Sequence, residues 1–195
     1  FDAVTMVRGF YHAADAPAVL RGIEQVLAPA GTFVLEFANK RNLKAILRYL
    51  ARRQAWSPFD REPVEFVELN FDFHPAWIRA RLAEAGLQVQ RQRTVSHFRL
   101  GFLKRALPTG LLVALDRLLQ PTGGLVQLSP SVFVCCRACA EKPPAPAGAF
   151  FRCTACGSTE LADAEQSLSC AACGARFAVR EGVYDFKAPI EGSAG

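Results

Sequence analysis

The chain has 195 residues, 51% of them hydrophobic, and a formal net charge of +5. This length allows one medium domain and one small domain, and the hydrophobic fraction indicates a globular protein with a buried core. The longest apolar stretches, such as residues 110–119, are interrupted by Asp116. Because a membrane-spanning helix needs about 20 apolar residues, the sequence predicts no membrane span.

Charge is divided unevenly along the chain. Residues 1–140 carry 18 Lys/Arg against 11 Asp/Glu, whereas residues 141–195 carry 5 against 7. The two parts therefore have net charges of +7 and −2, and a weak, salt-sensitive attraction between them is expected.

The seven cysteines, most of them in C-x-x-C pairs, indicate a reducing compartment, so the sequence predicts a cytoplasmic protein.

The first 37 residues predict a strand, a helix and a second strand. Residues 1–7 (FDAVTMV) are an apolar run typical of a buried strand. Asp15 is a plausible N-cap for a helix over residues 16–27, and residues 32–37 form a second buried strand. The apolar stripe of the helix is Val19, Ile23, Val26 and Leu27. The short connections predict the βαβ unit of a parallel sheet, and hence an α/β domain.

Residues 42–53 predict an amphipathic helix with a basic stripe. Its apolar face consists of Leu43, Ile46, Leu47 and Leu50, and its basic face of Lys44, Arg48 and Arg52. A solvated face is the favoured interpretation of the basic stripe. Contact with phosphate or RNA stays open because Lys40, Arg41 and Arg53 enlarge the patch.

The remaining elements of the larger domain follow a proline-marked acidic loop. We predict a helix over residues 75–85, a strand over 87–95, helical segments over 98–124 that break at Pro108, and a last strand over 131–136 that pairs antiparallel with 87–95. The predicted domains are residues 1–140, a Pro/Ala linker over 141–149, a small β-rich domain over 150–187 and a flexible tail over 188–195.

Four cysteines near the C-terminus, Cys153, Cys156, Cys170 and Cys173, form two C-x-x-C-G motifs, with thirteen residues between Cys156 and Cys170. This spacing predicts a zinc ribbon in which the glycines let each loop turn with positive φ. Disulfides or a redox C-x-x-C are the rival interpretations, but neither predicts two similar glycine-followed loops. Four sulfur ligands leave no open position on Zn²⁺, so the expected role is structural.

A third C-x-x-C, formed by Cys136 and Cys139 beside Cys135, lies near the last predicted strand. It lacks a following glycine. We interpret these cysteines as buried strand thiols and not as metal ligands.

The order of elements in residues 1–140 resembles the second half of class I S-adenosylmethionine-dependent methyltransferases. The motifs that carry this resemblance are FDAVTMV, the loop RGFYH, VLAPAGTFVLEF and RLAEAGLQV. Ala30 stands where the family usually has glycine. The resemblance implies a partial Rossmann-like sheet, S-adenosylmethionine as cofactor and methyl transfer as the activity.

The resemblance also implies which residues face the ligands. Val7, Arg8, Gly9 and His12 would bind the cofactor. No residue is assigned to catalysis, and the candidates are Arg8, His12 and Glu36. Further ligand-facing positions at the mouth of the second strand are Glu36, Phe37 and Asn39.

Each of these residues has a structural alternative. His12 caps its helix or bonds a carbonyl, Glu36 joins an ion pair, and Phe10 and Tyr11 pack in the core. Methyl transfer from a sulfonium needs mostly in-line positioning, with a base only if the acceptor must lose a proton, so no strong catalytic motif is expected.

The family holds its cofactor on a glycine-rich loop after the first strand and on an acidic residue after the second. No G-x-G-x-x-G occurs in this sequence, and the chain opens at Phe1 within a predicted strand. We therefore expect a fragment that lacks the N-terminal strands and is inactive alone, its full-length form being the enzyme.

Residues 151–187 resemble the small zinc-ribbon subunit that partners tRNA and protein methyltransferases, notably in CTACG, CAACG and ARFAVREGVYDF. The ribbon would then dock on the methyltransferase domain or on a partner. The alternative function is a zinc-ribbon module that binds RNA or protein without methyltransferase activity. A small molecule is the favoured methyl acceptor, with RNA and protein as alternatives.

Overall fold

The computed structural model describes residues 1–99, 101–141 and 148–190. The chain divides into two compact units, Phe1–Lys142 and Pro143–Gly195. Most of the predicted linker, residues 142–147, and most of the predicted tail, residues 191–195, lie outside the described residues. None of the helices in the described ranges has the length and hydropathy needed to cross a membrane.

The first unit begins with the predicted strand–helix–strand arrangement. Strand β1 (Ala3–Met6) pairs in parallel with β2 (Thr32–Ala38), and helix α1 (Ala16–Val26) connects them. The Asp15 side chain caps α1 by accepting a hydrogen bond of 2.9 Å from the backbone N–H of Ala18. The βαβ prediction is confirmed.

Two further strands complete this sheet. Strand β5 (Leu87–Val95) pairs antiparallel with β6 (Ser131–Ala138), as predicted. Strand β6 also pairs antiparallel with β2, so the sheet order is β1-β2-β6-β5. Because β2 and β5 both run opposite to β6, and β1 is parallel to β2, the carboxyl ends of β1, β2 and β5 all lie at the same end of the sheet.

The other elements of the first unit are helices and one small hairpin. The helices are α2 (Leu43–Leu50), α3 (Pro75–Glu84), α4 (Gly101–Ala106), α5 (Thr109–Leu119) and short 3₁₀ helices over Phe10–His12 and Gln120–Gly124. The predicted break at Pro108 separates α4 from α5. Strands β3 (Val64–Val67) and β4 (Asn70–Asp72) form a hairpin inside the predicted loop.

The core of the first unit lies between the sheet and helices α1 and α3. Ile78 and Leu82 of α3 are fully buried, as the spacing predicts. The other large buried side chains are Phe10, Leu20, Phe33, Leu35, Phe37, Phe73, Leu87, Val132 and Val134. Full burial of each such side chain contributes about 1.5–3 kcal/mol of hydrophobic free energy.

Two burial predictions near the N-terminus are wrong. Residues of β1 alternate between exposed and half-buried because this strand lies at the edge of the sheet. In α1 the buried side chains are Ala16 and Leu20, and Val26 is exposed although it was assigned to the apolar stripe. The other three stripe residues, Val19, Ile23 and Leu27, do contact the core as predicted, so the error is confined to Val26.

The apolar face predicted for α2 is also wrong. Leu43, Leu47 and Leu50 are exposed, and the helix packs inward through Ala45. Its orientation is fixed at the N-terminus, where Asn42 caps the helix and the Leu43 N–H donates to a carbonyl outside it. A row of leucines therefore faces outward.

The second unit contains a four-stranded antiparallel sheet. Its strands are β7 (Leu161–Ala164), β8 (Ser167–Cys170), β9 (Arg176–Arg180) and β10 (Val183–Asp185), in the order β10-β9-β8-β7. Glu181 and Gly182 form a two-residue turn with φ of 51° and 77°, as a type I′ hairpin requires. Leu168 and Phe177 are at the centre of its small core.

Candidate metal centre and strand-end loop

The four cysteines of the two C-x-x-C-G motifs meet at one point of the second unit. Their sulfur atoms all lie within 4.8 Å of one another, a grouping that could hold a metal ion. The Cys153 and Cys173 sulfurs are 3.7 Å apart, and those of Cys156 and Cys170 are 3.6 Å apart. A tetrahedral Zn²⁺ with bonds of about 2.3 Å separates its sulfur ligands by about 3.8 Å, whereas a disulfide needs about 2.05 Å. The geometry fits the metal and excludes disulfides.

Both cysteine loops are built in the same way. The Gly157 N–H donates to the Cys153 carbonyl at 2.8 Å, and the Gly174 N–H donates to the Cys170 carbonyl at 2.9 Å. The two glycines have φ of 77° and 73°, which a residue with a Cβ adopts only at a cost. The predicted role of the glycines is confirmed.

The thiols of the cluster differ in how easily they ionise. Burial disfavours the Cys153 thiolate, but backbone N–H groups, chiefly that of Cys156, donate to it and lower its pKa to about 7. The Ser158 backbone favours the Cys156 thiolate, but the neighbouring sulfurs, Cys173 first, raise its pKa to about 12. Because adjacent thiolates repel one another, a divalent cation is what allows all four to ionise together.

The third C-x-x-C is not part of this cluster. Cys136 is buried, and burial raises the pKa of its thiol to about 12, in agreement with a strand thiol. Cys139 is exposed, so its assignment as a buried thiol is wrong. The reason is that β6 ends at Ala138, one residue earlier.

The loop after β1 carries the cofactor-facing residues that the resemblance implies. Val7, Arg8, Gly9 and His12 are all exposed on this loop, at the edge where the parallel strands end. Arg8 has φ of 56°, a left-handed conformation that is uncommon for a residue with a side chain. Its N–H donates to Glu36 Oε2 at 2.9 Å, and this bond holds the turn.

Glu36 lies near the end of β2 and is buried. While one carboxylate oxygen accepts from the Arg8 N–H, the other accepts from the Ser131 hydroxyl at 2.5 Å. Among the described residues it pairs with no cation, so it ties the loop to β6 through hydrogen bonds and not through an ion pair.

His12 takes the carbonyl-bonding role that was one alternative. Its Nδ1 lies 2.7 Å from the Leu69 carbonyl oxygen in the β3–β4 turn. Because a carbonyl can only accept, Nδ1 carries the proton in the neutral ring, and Nε2 keeps a free lone pair. The His12 side chain is exposed, so this lone pair can meet a ligand.

Three other residues named with this site are structural. Phe10 and Phe37 have no exposed surface and belong to the core. Asn39 is buried, and its Nδ2 donates to the carbonyls of Gln127 and Ser129 at 3.0 and 2.7 Å. The structure therefore brings together the loop residues and Glu36 but not Phe37 and Asn39.

One lysine of the predicted basic surface patch is buried, contrary to the prediction. Lys40, which was counted in the surface patch, is 2% exposed, and its Nζ donates to the Glu62 carbonyl at 2.5 Å. Nearby, burial raises the pKa of Asp72 to about 6 although Arg48 and Lys40 oppose the change. Burial also lowers the pKa of His74, with Arg41 as the next cause. No local motif marks this cluster in the sequence.

A polar cluster joins α5 to β5. His97 Nδ1 lies 2.9 Å from Asp116 Oδ1, and His97 Nε2 lies 3.1 Å from the Thr94 hydroxyl. Although burial opposes it, hydrogen bonding from His97 holds the pKa of Asp116 below its usual value. Thr94 has no exposed surface, so this arrangement anchors α5 to β5, whereas Asp116 also lines the neighbouring cleft.

Beside this cluster lies a cleft of about 730 Å³ at the carboxyl end of β5. It therefore opens at the same end of the sheet's strands as the loop after β1, although β1 and β5 are the two outer strands of the sheet. Apolar side chains in its lining are Val95, Phe98, Leu112 and Val113, and cationic ones are Arg99, Lys104 and Arg117.

No protein-family profile and no curated protein matches this chain. Solved structures with a similar fold include the complex between the Haloferax volcanii Trm112 methyltransferase activator and a protein described as a methyltransferase (17% identity, TM-score 0.43, 73% of this chain and 56% of that chain). Two others are S-adenosylmethionine-dependent methyltransferases from Thermotoga maritima (13%, 0.43, 71% and 56%) and Mesorhizobium loti (14%, 0.40, 70% and 61%). The chain spans less than two thirds of the length of each.

Proposed function

We propose that the first unit is the C-terminal half of a class I S-adenosylmethionine-dependent methyltransferase domain and that the second unit is a structural zinc ribbon. The observation that carries the first part is the strand-end loop, in which Arg8 is held in a left-handed turn by buried Glu36. Strained non-glycine residues concentrate at ligand sites, and α/β sheets bind ligands beyond the carboxyl ends of their strands. The family resemblance of residues 1–140 agrees with this position.

The bound cofactor supplies a methyl group on a positively charged sulfur. The chain contributes a loop from Val7 to His12 that is tied through Glu36 to β2 and β6, and this connection helps to hold it in place for orienting ligands. Glu36 is a positioning residue in this scheme, since both of its oxygens are already used within the protein.

His12 is the residue that is able to move a proton. Its Nδ1–H is used by the Leu69 carbonyl, so its Nε2 can accept a proton from an acceptor hydroxyl or amine. For an acceptor that needs no deprotonation, His12 would only bind and orient it.

The cleft at the end of β5 supports a small-molecule acceptor over a polymer. Its volume of about 730 Å³ lies within the range of small-ligand sites, about 300–1,000 Å³. Three cationic side chains against the one carboxylate of Asp116 leave the lining with a net positive charge, and with its apolar side chains this suits a partly apolar molecule with an anionic group.

The ribbon is proposed to hold one Zn²⁺ through Cys153, Cys156, Cys170 and Cys173, which would fix its two loops. Elemental analysis of the purified chain should find one zinc per chain. Cys153→Ser should lose it, whereas the matched control Cys136→Ser should retain it. Zinc retained by the first variant or lost by the second would refute the assignment.

Methyl transfer is tested with S-adenosylmethionine carrying a radioactive methyl group. The chain, together with any residues that its gene encodes ahead of Phe1, is incubated with small-molecule, RNA and protein extracts in separate reactions. We expect label in the small-molecule fraction. RNA binding without label in any fraction would instead favour a zinc-ribbon binding module that is not an enzyme.

A further inference from the structure

Helix α2 presents an apolar row outward. Leu43, Leu47 and Leu50 are 50%, 58% and 67% exposed. They are spaced by four and three residues and therefore share one side of the helix. We call these three residues the leucine row. A soluble helix normally buries such a row, so its exposure requires an explanation.

The apolar surface continues beyond the helix. The Leu43 N–H donates to the Leu128 carbonyl at 2.8 Å, which brings residues 125–128 next to the start of α2. Leu125 is 89% exposed, and Val126 and Leu128 are also exposed. The leucine row is thus part of a wider exposed apolar patch.

Cations border the leucine row. Lys44, Arg48, Arg52 and Arg53 are all exposed. No Asp or Glu occurs between residues 37 and 59. The nearest carboxylate in sequence, Asp60, lies 3.7 Å from buried Lys40. Asp72 interacts electrostatically with Arg48, so the net positive charge of the border comes chiefly from Lys44, Arg52 and Arg53.

An aromatic side chain adds to the same region. Phe59 is 51% exposed, and its ring packs edge-on against that of Tyr49, the residue before Leu50, with centroids 6.1 Å apart. Aromatic rings beside an apolar surface are typical of the boundary between water and lipid.

We propose that the leucine row of α2, with residues 125–128, docks on the surface of an anionic lipid bilayer. The leucines enter the outer acyl region while the four cations contact lipid head groups, the arrangement of helices that lie in the membrane interface. RNA would be held by the cations but would gain nothing from exposed leucines. The combination of row and border therefore favours lipid.

The test is co-sedimentation of the zinc-loaded chain with vesicles. We expect binding to vesicles that contain phosphatidylserine and weak or no binding to pure phosphatidylcholine. Leu47→Ser with Leu50→Ser should weaken binding about tenfold or more, because two apolar side chains no longer enter the bilayer. Arg48→Gln with Arg52→Gln should weaken it about tenfold or more and remove part of its salt dependence.

Two controls match these changes. Val26→Ser removes an exposed apolar side chain from α1, and Arg91→Gln with Arg93→Gln removes two exposed cations from β5. Neither should change vesicle binding by more than about twofold. Circular dichroism of every variant is recorded to check that the fold is retained.

Three outcomes overturn the proposal. The chain does not bind phosphatidylserine vesicles, or the leucine variant binds as well as the parent, or the chain binds an unstructured RNA through the arginines while ignoring vesicles. None of these measurements depends on methyl transfer, so the result is independent of the proposed enzyme activity.

Discussion

Arg8 and His12 are the two side chains of the strand-end loop with chemistry suited to a ligand. Both are exposed, and neither contributes to the buried core. The backbone of Arg8, not its side chain, bonds to Glu36. The loop therefore keeps its bond to Glu36 when either side chain is shortened, and His12→Ala loses only an exposed hydrogen bond to the Leu69 carbonyl.

Replacing Arg8 or His12 with alanine should separate function from folding. Each melting temperature should stay within a few degrees of the parent, since exposed changes typically cost under about 0.5 kcal/mol. Methyl transfer should fall at least tenfold for one of them, which corresponds to about 1.4 kcal/mol. The measurement is the initial rate of methyl transfer against substrate concentration, for the chain together with any residues that its gene encodes ahead of Phe1. Full activity of both variants, or unfolding of both, would refute the assignment of Arg8 and His12 to the site.

Ala30 makes a second prediction at this scale. It has φ of 58° in the turn before β2, where a Cβ is unfavourable. Ala30→Gly should raise the free energy of unfolding by about 0.5–1 kcal/mol. Ala83→Gly, at an exposed position of α3, is the control and should lower it by about 1 kcal/mol. Denaturant titration measures both, and a loss of stability in the Ala30 variant would contradict the turn geometry.

At the scale of elements, the buried carboxyl group of Asp72 at the end of β4 should make the stability of the fold depend on pH. Its folded pKa of about 6 exceeds the unfolded value of about 3.9 because burial disfavours its charge. The folded state thus binds more protons between these values, and stability falls as pH rises from about 4 to about 6. Asp72→Asn should be more stable than the parent above pH 6 and should lose this advantage near pH 4.

Urea titration of this variant across pH measures the effect. Asp2→Asn, at an exposed position, should leave the pH profile unchanged. A parent protein whose stability rises over the same range, with the Asn variant following it, would show that the Asp72 carboxylate is not desolvated.

Elements with strong local signals were predicted well from the sequence. Strand β5 has the predicted bounds, and Asp15 caps α1 as expected. The four cysteines also meet as predicted because metal-ligand spacing is a property of two short loops. In each case the decisive residues are close neighbours in the chain.

Features that depend on distant contacts were missed. The carboxylate of Glu36 bonds to Ser131, which lies 95 residues away, and the buried Lys40 donates to the carbonyl of Glu62, 22 residues later. Hydrophobic periodicity identified α2 but not which side faces inward, since the Leu43 N–H contacts a carbonyl 85 residues away. Such pairings have no signature in a local stretch of sequence.

At the scale of the whole molecule, the folding of the ribbon should depend on bound zinc. Structural zinc in small domains contributes about 10–16 kcal/mol of apparent binding free energy, so a strong chelator should unfold the ribbon. Chelation should therefore release zinc and alter the far-ultraviolet circular dichroism. An unchanged spectrum after complete zinc release would contradict this dependence.

The most direct test of the central claim is calorimetric titration with S-adenosylmethionine. The chain has no glycine-rich cofactor loop, and the strand-end loop supplies only one side of a site, so residues 1–195 alone should show no saturable binding. The chain extended by any residues that its gene encodes ahead of Phe1 should bind one cofactor, and Arg8→Ala or His12→Ala should weaken that binding or slow turnover. Tight binding by residues 1–195 alone, or no binding by the extended chain, would contradict the account.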